Sequence, residues 1–256
     1  MQNSVAIVTG ASQGIGRATA IQLARDFTGL VLVARNLDEL NDTATQVEAA
    51  GAESLVIGLD LSQPNAATTI VSRTLERFGR IDALLNIAGA VPQIDLFDMT
   101  DEQWDAGLAL KFHGARRLTL HAWEELKKVK GSVVFMSGNS AQAPKAAFAA
   151  VASINAAIAA LAKAFADRGM RDGVQVNSVL PGPVMTDRRK SYLAHWAPLH
   201  DVTVDQAAEA FLQETGISRF GRPEEIAALM AFLVSPEARW LTGAMLRMDG
   251  GEVRSI

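Results

Sequence analysis

Short apolar runs alternate along this chain with longer stretches in which apolar residues recur every three or four positions. The short runs, bounded by Gly, Asn, Asp or Ser, read as buried strands, and the longer stretches read as helices. Strands are predicted at residues 5–8, 29–33, 54–59, 83–86, 132–136, 174–179 and 245–248. Helices are predicted at residues 17–25, 37–50, 64–77, 100–127, 153–168 and 224–233. Strands that are apolar throughout and separated by helices imply a parallel sheet covered on both faces. The expected fold class is therefore α/β, a single-domain Rossmann-like doubly wound sheet with its ligand at the carboxyl ends of the strands.

Composition narrows this picture. No linker divides the 256 residues, so one domain is expected over 1–256. A hydrophobic content of 49% with 20% charged residues supplies a globular core. The net charge of −4 offers no broad field for nucleic acid. The absence of cysteine excludes disulfides and thiolate chemistry. No basic or long apolar stretch precedes the first strand, so no signal peptide is expected and the cytoplasm is the expected location. The most apolar later segment, residues 156–166, is too short to span a bilayer and contains Lys163.

The first strand runs directly into Thr9-Gly10-Ala11-Ser12-Gln13-Gly14-Ile15-Gly16, and a helix follows. Strand, glycine turn and helix in that order form a phosphate cradle. Gly10 permits the tight turn, Gly14 lets backbone approach a pyrophosphate, and Gly16 allows close helix–strand packing. Near Ile15 the helix start turns free N–H groups toward the phosphates, beside Ser12 and Gln13. The second strand ends at Arg35-Asn36, with no carboxylate before Asp38. NAD sites place an acid at that point, whereas a guanidinium forks onto a 2′-phosphate, so NADP(H) is expected over NAD(H).

Further motifs are Asn86-Ile87-Ala88-Gly89, Pro181-Gly182-Pro183-Val184-Met185-Thr186 and Gly221-Arg222-Pro223-Glu224-Glu225. With the glycine turn they give a sequence that resembles the short-chain dehydrogenase/reductase family over its whole length. The resemblance implies a nicotinamide-dependent oxidoreductase acting on a small molecule. It implies that Asp60, followed by Leu61, meets the adenine, and that the motif of Asn86, Ala88 and Gly89 steadies the central sheet and leaves small residues beside the adenosine ribose. It implies that Pro181, Gly182, Val184 and Thr186 hold the nicotinamide carboxamide. Residues 187–220 then correspond to the substrate lid. The segment 141–166, with 14 alanines, matches a helix that packs on its twin in a dimer or tetramer. The same alanines also suit any helix.

The family's acid–base residues are replaced. Aligned on flanking residues, the Asn, Ser, Tyr and Lys slots hold Lys111, Gly138, Val151 and Asn155. The only tyrosine, Tyr192, falls in the lid and reads as a packing residue. Lys and Asn have in effect exchanged positions, which leaves an ammonium near the nicotinamide ribose. Ser137 and Ser140 flank the vacant serine slot and read as ordinary strand-end hydroxyls. Arg188-Arg189-Lys190 reads as a solvated charged run rather than an anion receptor. No His/Asp/Glu cluster has metal-ligand spacing. A reductase with an altered site is expected; the alternatives are an NADPH-binding protein without turnover and a non-redox lyase or isomerase.

Overall fold

The computed structural model describes residues 3–255. Seven strands form one sheet in the order β3-β2-β1-β4-β5-β6-β7. They are β1 (Val5–Thr9), β2 (Gly29–Ala34), β3 (Glu53–Gly58), β4 (Ala83–Asn86), β5 (Ser132–Met136), β6 (Gln175–Pro181) and β7 (Met245–Met248). Every pairing is parallel. Strand order reverses beside β1, which pairs with β2 through Ile7–Val31 and with β4 through Ile7–Leu84. That switch point opens a crevice at the carboxyl ends of β1 and β4.

The helices are α1 (Gly14–Leu23), α2 (Leu37–Ala49), α3 (Ala66–Phe78), α4 (Asp101–Gly107), α5 (Ala115–Val129), α6 (Ala149–Asp172), α7 (Asp187–Trp196), α8 (Val204–Thr215) and α9 (Pro223–Leu233). Successive strand residues point to opposite faces, and both faces are buried in the inner strands β2, β1, β4, β5 and β6. Ile7, Val31, Leu84, Phe135 and Val176 belong to one core, with Leu118, Leu126 and Ile158. Ala6, Val8, Leu30, Leu32, Leu85 and Val134 belong to the other, with Leu23, Ile226 and Met230. Burial of each large aliphatic side chain contributes about 1.5–3 kcal/mol, so continuous apolar strands are stable only inside such a sandwich of helices.

Several boundaries differ from the sequence expectation. Helix α1 begins at Gly14 because the glycine turn feeds it directly, without an apolar residue to signal the start. Helix α6 extends from Ala149 to a left-handed Gly173 with φ of 76°, well beyond residues 153–168. With the turn before it, Ala146–Asp172 is long and apolar enough to cross a membrane by length and composition. Here its Ile154, Ile158, Ala162 and Ala166 are buried on the side facing the sheet, while Ala156, Ala160 and Ala164 are exposed. The long helix predicted at 100–127 is interrupted by a π-helical stretch, Leu108–Gly114, between α4 and α5. Such insertions widen a helix locally and occur often at functional sites.

The region 187–220 folds into α7 and α8, which the periodicity did not reveal. Thr186 caps α7 by accepting from Arg189 N, and Thr203 with Gln206 forms a capping box on α8. Leu193, Ala197 and Ala207 make a small separate core, flanked by Met185, Trp196 and Phe220. An isolated bridge, Val184 to Gly221, joins the segment to the main body.

Candidate functional site

At the switch point lies a cleft of about 460 Å3. Gly10, Ser12, Gln13, Gly14, Ile15 and Gly16 form one wall, with Arg35, Asn36, Leu61, Ala88, Gly89 and Thr186 around it. Gly10 and Gly14 have φ of 70° and 54°, the left-handed region that side chains avoid. A Cβ on Gly16 would overlap the Gly10 carbonyl oxygen, so only glycine lets α1 start this close to the turn. No side chain caps α1, and its first turn contains no acid. Its leading N–H groups therefore suit an anion such as a dinucleotide pyrophosphate.

Not every predicted cofactor residue faces this cleft. Asn86 is buried and donates to Thr119 Oγ1 at 3.1 Å, tying β4 to α5. Val184 is buried in the core cluster that also contains Val179 and Ile226. The Asp60 carboxylate accepts from Ser62 N at 2.9 Å and holds its own turn. Asn36 lines the cleft, but its side-chain oxygen caps α2 through Asp38 N and Glu39 N. Pro181 and Gly182 line a second, larger cavity instead. Sequence reasoning missed Ala34, Leu59, Leu110, Met136 and Arg188 on the cleft wall. Only the register of neighbouring elements brings those residues there, so no local motif could have flagged them.

The second cavity, about 620 Å3, is lined by Gly138, Val151 and Asn155, with Ser140 beside them. Lys111 reaches this region from the π-helical stretch. Its Nζ donates to Asn155 Oδ1 and, at 3.2 Å, to the Ser137 carbonyl. Lys111 and Asn155 thus face each other and bond directly. Gly89 makes room for this: a Cβ there would lie 2.9 Å from Lys111 Cδ. Burial, with a smaller push from the Arg188 charge, lowers the Lys111 pKa to about 8.

Asn155 is 3% exposed, and both its amide oxygen and its amide nitrogen are hydrogen-bonded. Its Nδ2 donates to Ser140 Oγ at 2.9 Å, and its backbone carbonyl accepts from Ser137 Oγ at 2.7 Å. A Cβ on Gly138 would lie 2.5 Å from Asn155 Nδ2, so the asparagine occupies the space that a serine side chain would need. Gly138→Ser alone should therefore push Asn155 aside, break its bonds to Lys111 and Ser140, and destabilise the protein by about 1–3 kcal/mol. Urea denaturation measures this; an unchanged midpoint would mean that Asn155 swings away freely. Val151 joins an apolar cluster with Val91, Ile154 and Trp104 and offers no proton.

The basic run at the start of α7 is not a uniform solvated face. Lys190 pairs with Asp187 at 3.2 Å, both exposed. Arg188 spans from α7 to the opposite loop, donating to Val91 O at 2.7 Å and Gly89 O at 3.4 Å. The Arg189 guanidinium turns into the larger cavity, over the rings of Tyr192 and Phe211. Tyr192 is a cavity wall and a support for that arginine.

A family model described as Enoyl-(Acyl carrier protein) reductase matches residues 10–252. The chain is similar to the short-chain reductase protein NovJ of Streptomyces niveus, 32% identical over 98% of this chain and 94% of that protein. It is 31% identical to the NADPH-dependent reductase BacG of Bacillus subtilis, with 100% of each chain covered. Among solved structures, L-sorbose reductase from Gluconobacter frateurii complexed with NADPH and L-sorbose superposes with a TM-score of 0.94. The identity there is 26%, over 99% of this chain and 97% of that one.

Proposed function

This chain belongs to the short-chain dehydrogenase/reductase family, and we propose that it is an NADPH-dependent carbonyl reductase in which Lys111, Asn155 and Ser140 polarise the substrate. The observation that carries this reading is the hydrogen-bond series from the Lys111 ammonium through the Asn155 amide to the Ser140 hydroxyl. An ammonium on Oδ1 polarises the amide, which strengthens its Nδ2–H donation to Ser140 Oγ. With that acceptor position filled, the Ser140 proton is left to donate to an oxygen in the cavity it lines. A carbonyl placed there gains a charge-assisted donor where its oxygen becomes negative.

Bound dihydronicotinamide supplies the hydride. Asn155 cannot itself relay a proton, so the alkoxide takes its proton from water in the cavity while Ser140 and Lys111 stabilise its charge. Ser140→Ala should reduce kcat about 10–100-fold with little change in NADPH affinity, a modest loss for one oxyanion donor. The readout is stoichiometric NADPH consumption across a panel of ketones and aldehydes. Turnover indifferent to Ser140→Ala would remove Ser140 from the mechanism. The apolar surroundings of Val151 favour a second reading, an NADPH-binding protein without turnover. Tight NADPH binding with no consumption on any carbonyl would select it.

Arg35 and Asn36 on the cleft wall, with NADPH in the names of similar proteins, support NADP(H) as the cofactor. Arg35→Ala should weaken NADPH about 10–100-fold, the loss of a charge-assisted fork, and leave NADH nearly unchanged. Equal losses in calorimetric titrations would refute the assignment. The exposed face of α6 carries Ala156, Ala160 and Ala164, small enough for close helix approach, which supports a homo-oligomer. A cytoplasmic location and a small-molecule substrate complete the proposal.

A further inference from the structure

Three consecutive cations open α7, and two have protein partners: Arg188 two carbonyls, Lys190 an aspartate. Arg189 differs. Its Cζ lies 5.5 Å from the Tyr192 ring centroid and 4.9 Å from that of Phe211. Among the described residues, no hydrogen bond or ion pair engages its guanidinium. Glu252 is near enough to feel its charge, but that carboxylate accepts from Asn139 Nδ2 instead. The side chain is half-buried on the wall of the cavity that also contains Asn155 and Ser140.

A guanidinium taken out of water without an acceptor is costly. Two aromatic rings offset part of that cost and fix the plane of the group. They also leave its edge N–H donors free, and that planar fork matches a carboxylate. We infer that Arg189 is the receptor for a carboxylate on the substrate, whose carbonyl is held at Ser140 in the same cavity. The assignment of the carbonyl rests on the reductase reading; the carboxylate receptor does not.

The remaining charges of the cavity decide which anion fits. Lys145 pairs with Glu214 at 3.4 Å, which leaves Asp95 and Glu252 as negative groups on the wall of the cavity that Arg189 also lines. A monoanion is tolerated there, whereas a phosphate dianion meets repulsion from both. Phe148, Trp196 and Phe211 offer apolar surface to the rest of the molecule. The substrate class is thus an oxo acid with an apolar or aromatic body.

Calorimetry with 3-phenylpropanoate, its neutral amide and phenyl phosphate tests this without any turnover. The wild-type protein should bind the carboxylate at least about 10-fold more tightly than the amide, the share expected of one charge-assisted fork. Arg189→Met should abolish that preference and leave amide affinity, NADPH affinity and thermal midpoint near their wild-type values. Arg189→Lys should retain only part of the preference, because it keeps the charge without the fork. Equal binding of carboxylate and amide, no carboxylate binding at millimolar concentration, or a preference that survives Arg189→Met would overturn the proposal. Tighter binding of phenyl phosphate than of the carboxylate would overturn the choice of anion. If the carboxylate binds through Arg189 but NADPH is never consumed, the reductase reading fails while the receptor stands.

Discussion

Lys111→Met should lower kcat for carbonyl reduction by about 10-fold or more, up to the loss expected of Ser140→Ala through which it acts, while NADPH affinity stays close to wild type. The substitution removes the only charge in the Lys111–Asn155–Ser140 series. Without it Asn155 is an ordinary amide and Ser140 a weak donor. Stability should change little, because two effects oppose each other. A buried ammonium is removed, which favours the variant, while Asn155 Oδ1 and the Ser137 carbonyl each lose a donor.

The pH dependence gives an independent readout. With a pKa of about 8, Lys111 is charged at neutral pH and loses its proton as pH rises further. Wild-type kcat should therefore fall through pH 8, and any residual activity of Lys111→Met should lack that fall. The same shift has a consequence for folding. The folded-state pKa is below the unfolded value of 10.5, so the unfolded chain holds more protons between about pH 8 and 10.5. The contribution of this group to stability must rise with pH across that window, and Lys111→Met should abolish the rise. A flat wild-type rate profile, or a fast Lys111→Met enzyme, would show that the ammonium takes no part.

Gly16→Ala is expected to have the largest effect on the dinucleotide site. Its added methyl would meet the Gly10 carbonyl oxygen, with Gly10 carbon and Ala11 nitrogen close behind. All three are backbone atoms of the turn itself, so no side chain can move aside. Overpacking of this kind costs about 3 kcal/mol. For a chain of this size that lowers the midpoint by roughly 6–12 °C. Forcing α1 away from the turn also withdraws its N–H groups from the phosphates. Loss of two such charge-assisted bonds weakens NADPH about 100-fold or more. Gly51→Ala provides the control, since its φ is 106° but nothing lies within 4 Å of the added carbon. It should cost some stability and leave cofactor affinity alone. Wild-type NADPH binding by Gly16→Ala would mean that the glycine turn is not the phosphate cradle.

Much of this molecule is determined locally. The strands are visible because a parallel sheet buries both faces, so Val5–Thr9 and Ala83–Asn86 are apolar up to a single polar residue at the carboxyl end of each. The glycine turn is visible because only glycine tolerates the φ at Gly10 and the contact at Gly16. That no tyrosine lies near Val151 is also a property of the sequence.

What Lys111 and Asn155 do was decided by packing across long separations. Lys111, Ser137, Ser140 and Asn155 come from three segments, and a π-helical stretch that no periodicity announces carries the lysine. Asn86, Asp60 and Val184 carry familiar motifs, yet their side chains serve the sheet, a turn and the core. Arg188, Arg189 and Lys190 are chemically similar neighbours, and in sequence nothing separates them. Successive helix positions point about 100° apart, so one grips a loop, one enters a cavity and one meets solvent. Backbone constraints act within a few residues and can be read from residue type. The environment of a polar side chain depends on what the fold sets opposite it, and only the tertiary structure fixes that.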